Sequence, residues 1–137
     1  MIRPSPLLRR ALQADTAFSG VSAVLLAGAS APLAALLNLP TALLFESGLF
    51  LIGYTLLVGW MASRQTLPRP LVWMVVLGNA LWVLGSLALI AAGPIAPNAL
   101  GYAALIAQAI AVGVFAELQF FGSRRSGVDD ATVSRPA

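Results

Sequence analysis

Four long apolar runs, separated by two short turns and one polar loop, set the pattern of this chain. The clearest is LVWMVVLGNALWVLGSLALIAA at 71–92, which runs for 22 residues without a charge. At ~1.5 Å per residue a helix of that length crosses the ~30 Å hydrocarbon core of a bilayer. Turning ~100° per residue, Gly78, Asn79, Trp82, Gly85 and Ser86 gather within about one third of its circumference. The remaining arc, with Leu77, Leu81, Leu84 and Leu87, is apolar throughout. A helix alone in lipid needs no such division, so the stripe predicts a side that faces protein.

The other runs predict helices over about 16–37, 42–62 and 98–121. In the first, Asp15, Ser19, Ser22, Ala23, Leu26 and Ser30 share a face. Ser19, Ala23, Ala27 and Ala31 form a ladder of small residues one turn apart, which lets another backbone come close. Pro32 directly follows Ala29-Ser30-Ala31 and blocks signal-peptidase cleavage there, so this run is expected to remain as a span. In the second, Glu46, Phe50, Gly53, Leu57 and Trp60 alternate four- and three-residue steps, a heptad-like seam. In the fourth, Gly101, Ala104, Gln108, Val112, Phe115 and Gln119 lie together, with Glu117 opposite. Asn38 to Thr41 and Gly93 to Pro97 read as tight turns, with Thr41 as an N-cap. In the polar loop SRQTLPRP at 63–70, Pro68 and Pro70 stop one helix and start the next. Residues 1–14 form a basic lead, and 122–137 lack apolar periodicity, which predicts a disordered tail. The expected fold is all-α: a single domain over 1–121, an integral membrane bundle of four antiparallel transmembrane helices.

Composition agrees with lipid as the solvent. Of 137 residues, 59% are hydrophobic and 9% charged, where a soluble domain carries ~25% charged residues. All eight cations are arginine: Arg3, Arg9, Arg10, Arg64, Arg69, Arg124, Arg125 and Arg135. They fall in the lead, the middle loop and the tail, and the two turns on the other side hold none. The positive-inside rule then places both termini in the cytoplasm, and it accounts for the net charge of +3 without nucleic acid. Arginine without lysine, beside abundant Ala, Leu and Gly, suggests a GC-rich bacterial genome and so a bacterial cytoplasmic (inner) membrane.

With no Cys and no His, the chain has no disulfide, no thiol nucleophile and none of the commonest metal or acid–base ligand. No phosphate loop or catalytic triad is present, so no enzyme, metal or cofactor is expected. Four residues are candidates for transport or ligand contact. Glu46 is a carboxylate about one turn inside the membrane, which is a functional hypothesis by default. Asn79 and Gln108 sit near mid-span and are expected to pair, and Trp82 lies deep on the polar face. Asp15 and Glu117 lie near the cytoplasmic boundary with Arg9, Arg10, Arg124 and Arg125, where salt bridges or snorkelling account for them. Ser19, Ala23, Ala27, Gly53, Gly78 and Gly85 are the expected helix-packing positions. The function that follows is a non-enzymatic interaction or accessory subunit, partnered by the bilayer and by a homo-oligomer or larger membrane complex. The alternative is a small oligomeric transporter or channel using Glu46 and the Asn79/Gln108 layer.

LLRRALQADTAFSG at the start, LGNALWVLGS in the third run and AELQFFGSRR closing the fourth resemble small four-span inner-membrane proteins of bacteria. That resemblance covers most of the length and implies the location and the four spans, with no assigned activity.

Overall fold

The structure is a computed structural model that describes residues 1–93 and 95–128. Its helices are α1 (Pro6–Gly28), α2 (Ser30–Leu37), α3 (Thr41–Ser63), α4 (Arg69–Ala92) and α5 (Ala99–Arg124). Two short strands, β1 (Ile2–Arg3) and β2 (Gly127–Val128), pair antiparallel, with Ile2 opposite Val128 and Arg3 opposite Gly127. α3, α4 and α5 are each long and apolar enough to cross a membrane. α1 and α2 meet that condition together, bent by 93°. The outward side chains suit lipid: Val24, Leu56, Leu81 and Leu84 are among the most exposed large apolar residues.

The first span differs from the straight helix expected over 16–37. α1 begins ten residues earlier, where Ser5 caps it by accepting from the Leu8 amide at 3.1 Å and Pro6 supplies the first helical residue. It then stops at Gly28. The cause is Pro32, which cannot donate to the Gly28 carbonyl and whose ring would collide with it. In α2 that proline sits in the first turn, where no donor is required. The chain leaves α2 through Asn38 in the left-handed conformation (φ 54°), which asparagine tolerates. Thr41 is the first residue of α3 rather than its cap, which is Pro40.

α1 and α5 occupy the centre. α1 packs along α3 and along α5, α5 packs along α4, and α2 folds across α3 and α5. α3 and α4 are consecutive in sequence, yet their backbones stay apart and they meet through side chains. Close approach at the centre depends on glycines other than the expected ones. A Cβ on Gly48 would collide with the Ala27 backbone nitrogen, and one on Gly122 would lie 2.7 Å from the Leu8 Cα. Gly53, Gly78 and Gly85 instead have no neighbouring atom within 4 Å of where a methyl group would sit, so they do not mediate packing within the chain. Ser19 and Ala23 are buried against the neighbouring helices, and Ala27 is half-buried at the Gly48 crossing.

One end of the bundle is closed by the lead, the middle loop and the end of α5. Ile2 exchanges backbone hydrogen bonds with Leu67, at 2.8 and 2.9 Å. Ser5 Oγ donates to the Gly122 carbonyl at 2.8 Å. Arg9 donates to the Ala62 and Arg64 carbonyls at 2.6 and 2.9 Å, capping the end of α3. Beneath these lies an apolar plug of Ile2, Leu8, Leu12, Val58, Met61, Leu67, Val72 and Val75, all at most 2% exposed. The tail expected to be disordered from 122 is therefore ordered at its start: α5 continues to Arg124, and Gly127–Val128 pair with β1. Its remainder, 129–137, lies outside the described residues.

A buried carboxyl at the junction of four helices

The faces that form the apolar plug continue, one turn further along each helix, into polar residues. Asp15 follows Leu8 and Leu12 on α1, Asn79 follows Val72 and Val75 on α4, and Tyr54 precedes Val58 and Met61 on α3. Helical periodicity brings these three to one level, and Gln119 of α5 completes it. Asp15, Asn79 and Gln119 are 2%, 5% and 0% exposed.

Asp15 is the hub. Its Oδ1 accepts from Ser19 Oγ at 2.9 Å, one turn along the same helix. Its Oδ2 accepts from Gln119 Nε2 at 2.7 Å and from Asn79 Nδ2 at 3.2 Å, and lies 2.6 Å from the Tyr54 hydroxyl. The Tyr54 hydroxyl is also 2.8 Å from Asn79 Oδ1, and Asn79 Nδ2 donates to Gln119 Oε1 at 2.8 Å. A charged group in a dry interior is costly without partners. Here every partner is a neutral side chain, and the partners come from all four long helices.

A second polar group lies further along the α4–α5 seam. Trp82 Nε1 donates to Gln108 Oε1 at 2.8 Å, and Gln108 Nε2 donates to Ser86 Oγ at 3.0 Å. Phe50 stands between the two groups, with ring centroids 6.4 Å from Tyr54 and 5.7 Å from Trp82. This aromatic column bridges the gap between α3 and α4.

The expected site residues therefore divide. Trp82 and Gln108 are bonded to each other. Asn79 is not paired with Gln108, because Gln119 stands at its level and Gln108 lies on α5 at the level of Trp82. Glu46 belongs to neither group: it is exposed on α3, one turn from Phe50, and makes no hydrogen bond or ion pair among the described residues. Asp15 forms its contacts inside the bundle, not the boundary salt bridge expected of it, and Glu117 is exposed on α5. Tyr54 is not among the residues that the sequence pattern marks. Two signals point to this site in the sequence: the shared face of Asp15 and Ser19, and Gln119 at the end of the α5 polar face. No group of three or more Asp, Glu, His or Cys residues is placed to hold a metal among the described residues.

Comparison with family models, with curated proteins and with solved structures gives no match to this chain. The arrangement itself is what informs function. It can lock four helices in register, and it holds one titratable carboxyl out of contact with water.

Proposed function

We propose that the chain is a non-enzymatic integral membrane protein that acts as an interaction or accessory subunit, presenting the α3–α4 side to another membrane helix. In this reading the helices cross a bacterial cytoplasmic membrane four times in antiparallel order, with α1 and α2 making one bent crossing and both termini inside. The distribution of the eight arginines supports that orientation.

The observation that carries the proposal is the open gap between α3 and α4. Gly53 lies one turn from Phe50, and Gly78 and Gly85 flank Trp82 on its face of α4. All three glycines are exposed, with no atom near their missing side chains. In lipid, where apolar burial gives no drive to associate, such small-residue surfaces are where helices approach closely. The partner is a second copy or a subunit of a larger complex. Transport through Glu46 and an Asn79/Gln108 layer draws less support, since Glu46 is exposed and the two amides belong to separate groups.

The absence of cysteine makes the test clean. Single cysteines at Gly53, Gly78 and Gly85 should cross-link in native membranes far more than cysteines at the lipid-facing Leu56 or Leu118. Mass spectrometry of the product then names the partner. Equal cross-linking at all positions would refute the assignment of this face.

A further inference from the structure

Four contacts of the buried cluster close a ring. Asp15 Oδ2 meets Tyr54 Oη at 2.6 Å, Tyr54 Oη meets Asn79 Oδ1 at 2.8 Å, Asn79 Nδ2 meets Gln119 Oε1 at 2.8 Å, and Gln119 Nε2 meets Asp15 Oδ2 at 2.7 Å. Each link is short enough to require a proton between its two heavy atoms, because two bare lone pairs at that distance repel.

The protons can be counted. An amide placed in such a ring gives one proton from its nitrogen end and accepts one at its oxygen end. Turning it over exchanges the ends and leaves the number at one. Asn79 and Gln119 thus contribute one each, and the Tyr54 hydroxyl contributes one. An ionised carboxylate contributes none. That makes three protons for four links, whichever way the amides are turned.

We propose that the ring is a proton-binding site, with the fourth proton carried on Asp15 Oδ2. Every link then runs in one sense. The Asp15 acid donates to Tyr54, Tyr54 donates to Asn79 Oδ1, Asn79 donates to Gln119 Oε1, and Gln119 donates back to Asp15 Oδ2. The Ser19 hydroxyl donates to Oδ1, the carbonyl oxygen of the neutral acid. Unidirectional chains of this kind reinforce one another in a medium of low dielectric. The charged groups nearby do not offer an alternative. Arg9, on the same helix, is turned to the Ala62 and Arg64 carbonyls, and Glu117 on α5 is exposed. Tyr54 is the other titratable group in contact from α3, and α4 and α5 contribute amides.

Loss of the proton is a simple acid dissociation, with the proton passing to solvent. Tyr54 must then donate to the carboxylate, and its oxygen faces Asn79 Oδ1 with no proton between them. With Asn79 Nδ2 turned to Asp15 and Gln119, as it stands here, the link that fails is the one joining α3 to α4, the pair whose backbones do not pack. Occupancy of the site is thereby coupled to the width of the α3–α4 gap. This inference goes beyond the proposed function and does not require it.

The test is infrared spectroscopy of the full chain in lipid at neutral pH, with aspartate carboxyls labelled by carbon-13. The chain has two other aspartates, Asp129 and Asp130, so the Asp129→Asn/Asp130→Asn double variant leaves Asp15 as the sole labelled carboxyl. That variant changes no residue of the five helices and keeps Asp15, so it avoids any folding defect in Asp15→Asn. The expected result is a protonated-acid carbonyl band, above the amide bands, that shifts with the label and persists in the double variant. Absence of such a band, or its loss in the double variant, would overturn the proposal.

Discussion

Replacing Gln119 by Leu, set beside the same change at Gln108, tests whether the Asp15 cluster holds the bundle together. Leucine is close to glutamine in volume, so neither change opens a large cavity, and what is removed is the amide. At Gln119 the loss is one hydrogen bond given to Asp15 at 2.7 Å and one accepted from Asn79 at 2.8 Å. Interhelical hydrogen bonds in membrane bundles average ~0.6 kcal/mol and reach ~1.7, which gives about 1–3 kcal/mol for the two. The Asn79 amide and a carboxyl oxygen are also left short of a partner in an interior that is 2–5% exposed, and each such group costs ~1–3 kcal/mol. These costs overlap, since Asp15 keeps Tyr54 and Asn79 keeps Asp15, and a destabilisation of about 3 kcal/mol is expected. At Gln108 the bonds to Trp82 and Ser86 are half-buried beside the α3–α4 gap, and Ser86 keeps its bond to the Trp82 carbonyl at 2.8 Å. The expected cost there is about 1 kcal/mol. The assay is reversible unfolding in mixed micelles by titration with a denaturing detergent, followed by circular dichroism. If Gln108→Leu proves as damaging as Gln119→Leu, or if Gln119→Leu stays within ~0.5 kcal/mol of the parent as surface changes do, the ranking of the two polar groups is wrong.

Further outcomes follow from the same contacts and can be read by the same titration. Gly48→Ala should cost about 1–3 kcal/mol, because the added methyl meets the Leu26–Ala27 backbone and not a movable side chain. Gly53→Ala and Gly85→Ala should be neutral or stabilising by up to ~1 kcal/mol in the isolated protein, from helix propensity alone, while reducing cross-linking at the α3–α4 face. Arg9→Ala should cost about 1–3 kcal/mol through the lost bonds to the last carbonyls of α3, and Arg9→Lys should rescue little, since an ammonium cannot reproduce the fork. Thr55 Oγ1 is buried without a hydrogen-bond partner among the described residues, so Thr55→Val should raise stability by about 1 kcal/mol; a loss instead would place an acceptor there.

Helix positions from about 42 to 62, 71 to 92 and 98 to 121 are legible in the sequence because long charge-free runs leave the backbone no other way to satisfy itself in lipid. The first helix is not, although its signals are present. Ser5-Pro6 is a start signal and Pro32 a stop, but hydrophobicity rises only after Asp15 and continues past the proline. Reading span limits from hydrophobicity alone therefore leaves Asp15 at an edge and hides its role. The pairing of Asn79 fails for another reason. Depth along a run cannot select between two glutamines three turns apart on one face, since the offset of α5 relative to α4 is set by the turn and by packing against α1. Gly48 and Gly122 are indistinguishable from Gly53 and Gly85 as letters; what separates them is which helix crosses at that point.

The partners of Asp15 on other helices lie 39, 64 and 104 residues further along the chain. A ribosome adding ~5–20 residues per second needs roughly 5–20 seconds to travel from Asp15 to Gln119. During that interval the carboxyl has Ser19 beside it, gains Tyr54 and then Asn79, and still lacks the Gln119 bond. The cluster is thereby complete only once α5 is made: a chain that stops before Gln119 lacks the 2.7 Å bond that α5 gives to the Asp15 carboxyl.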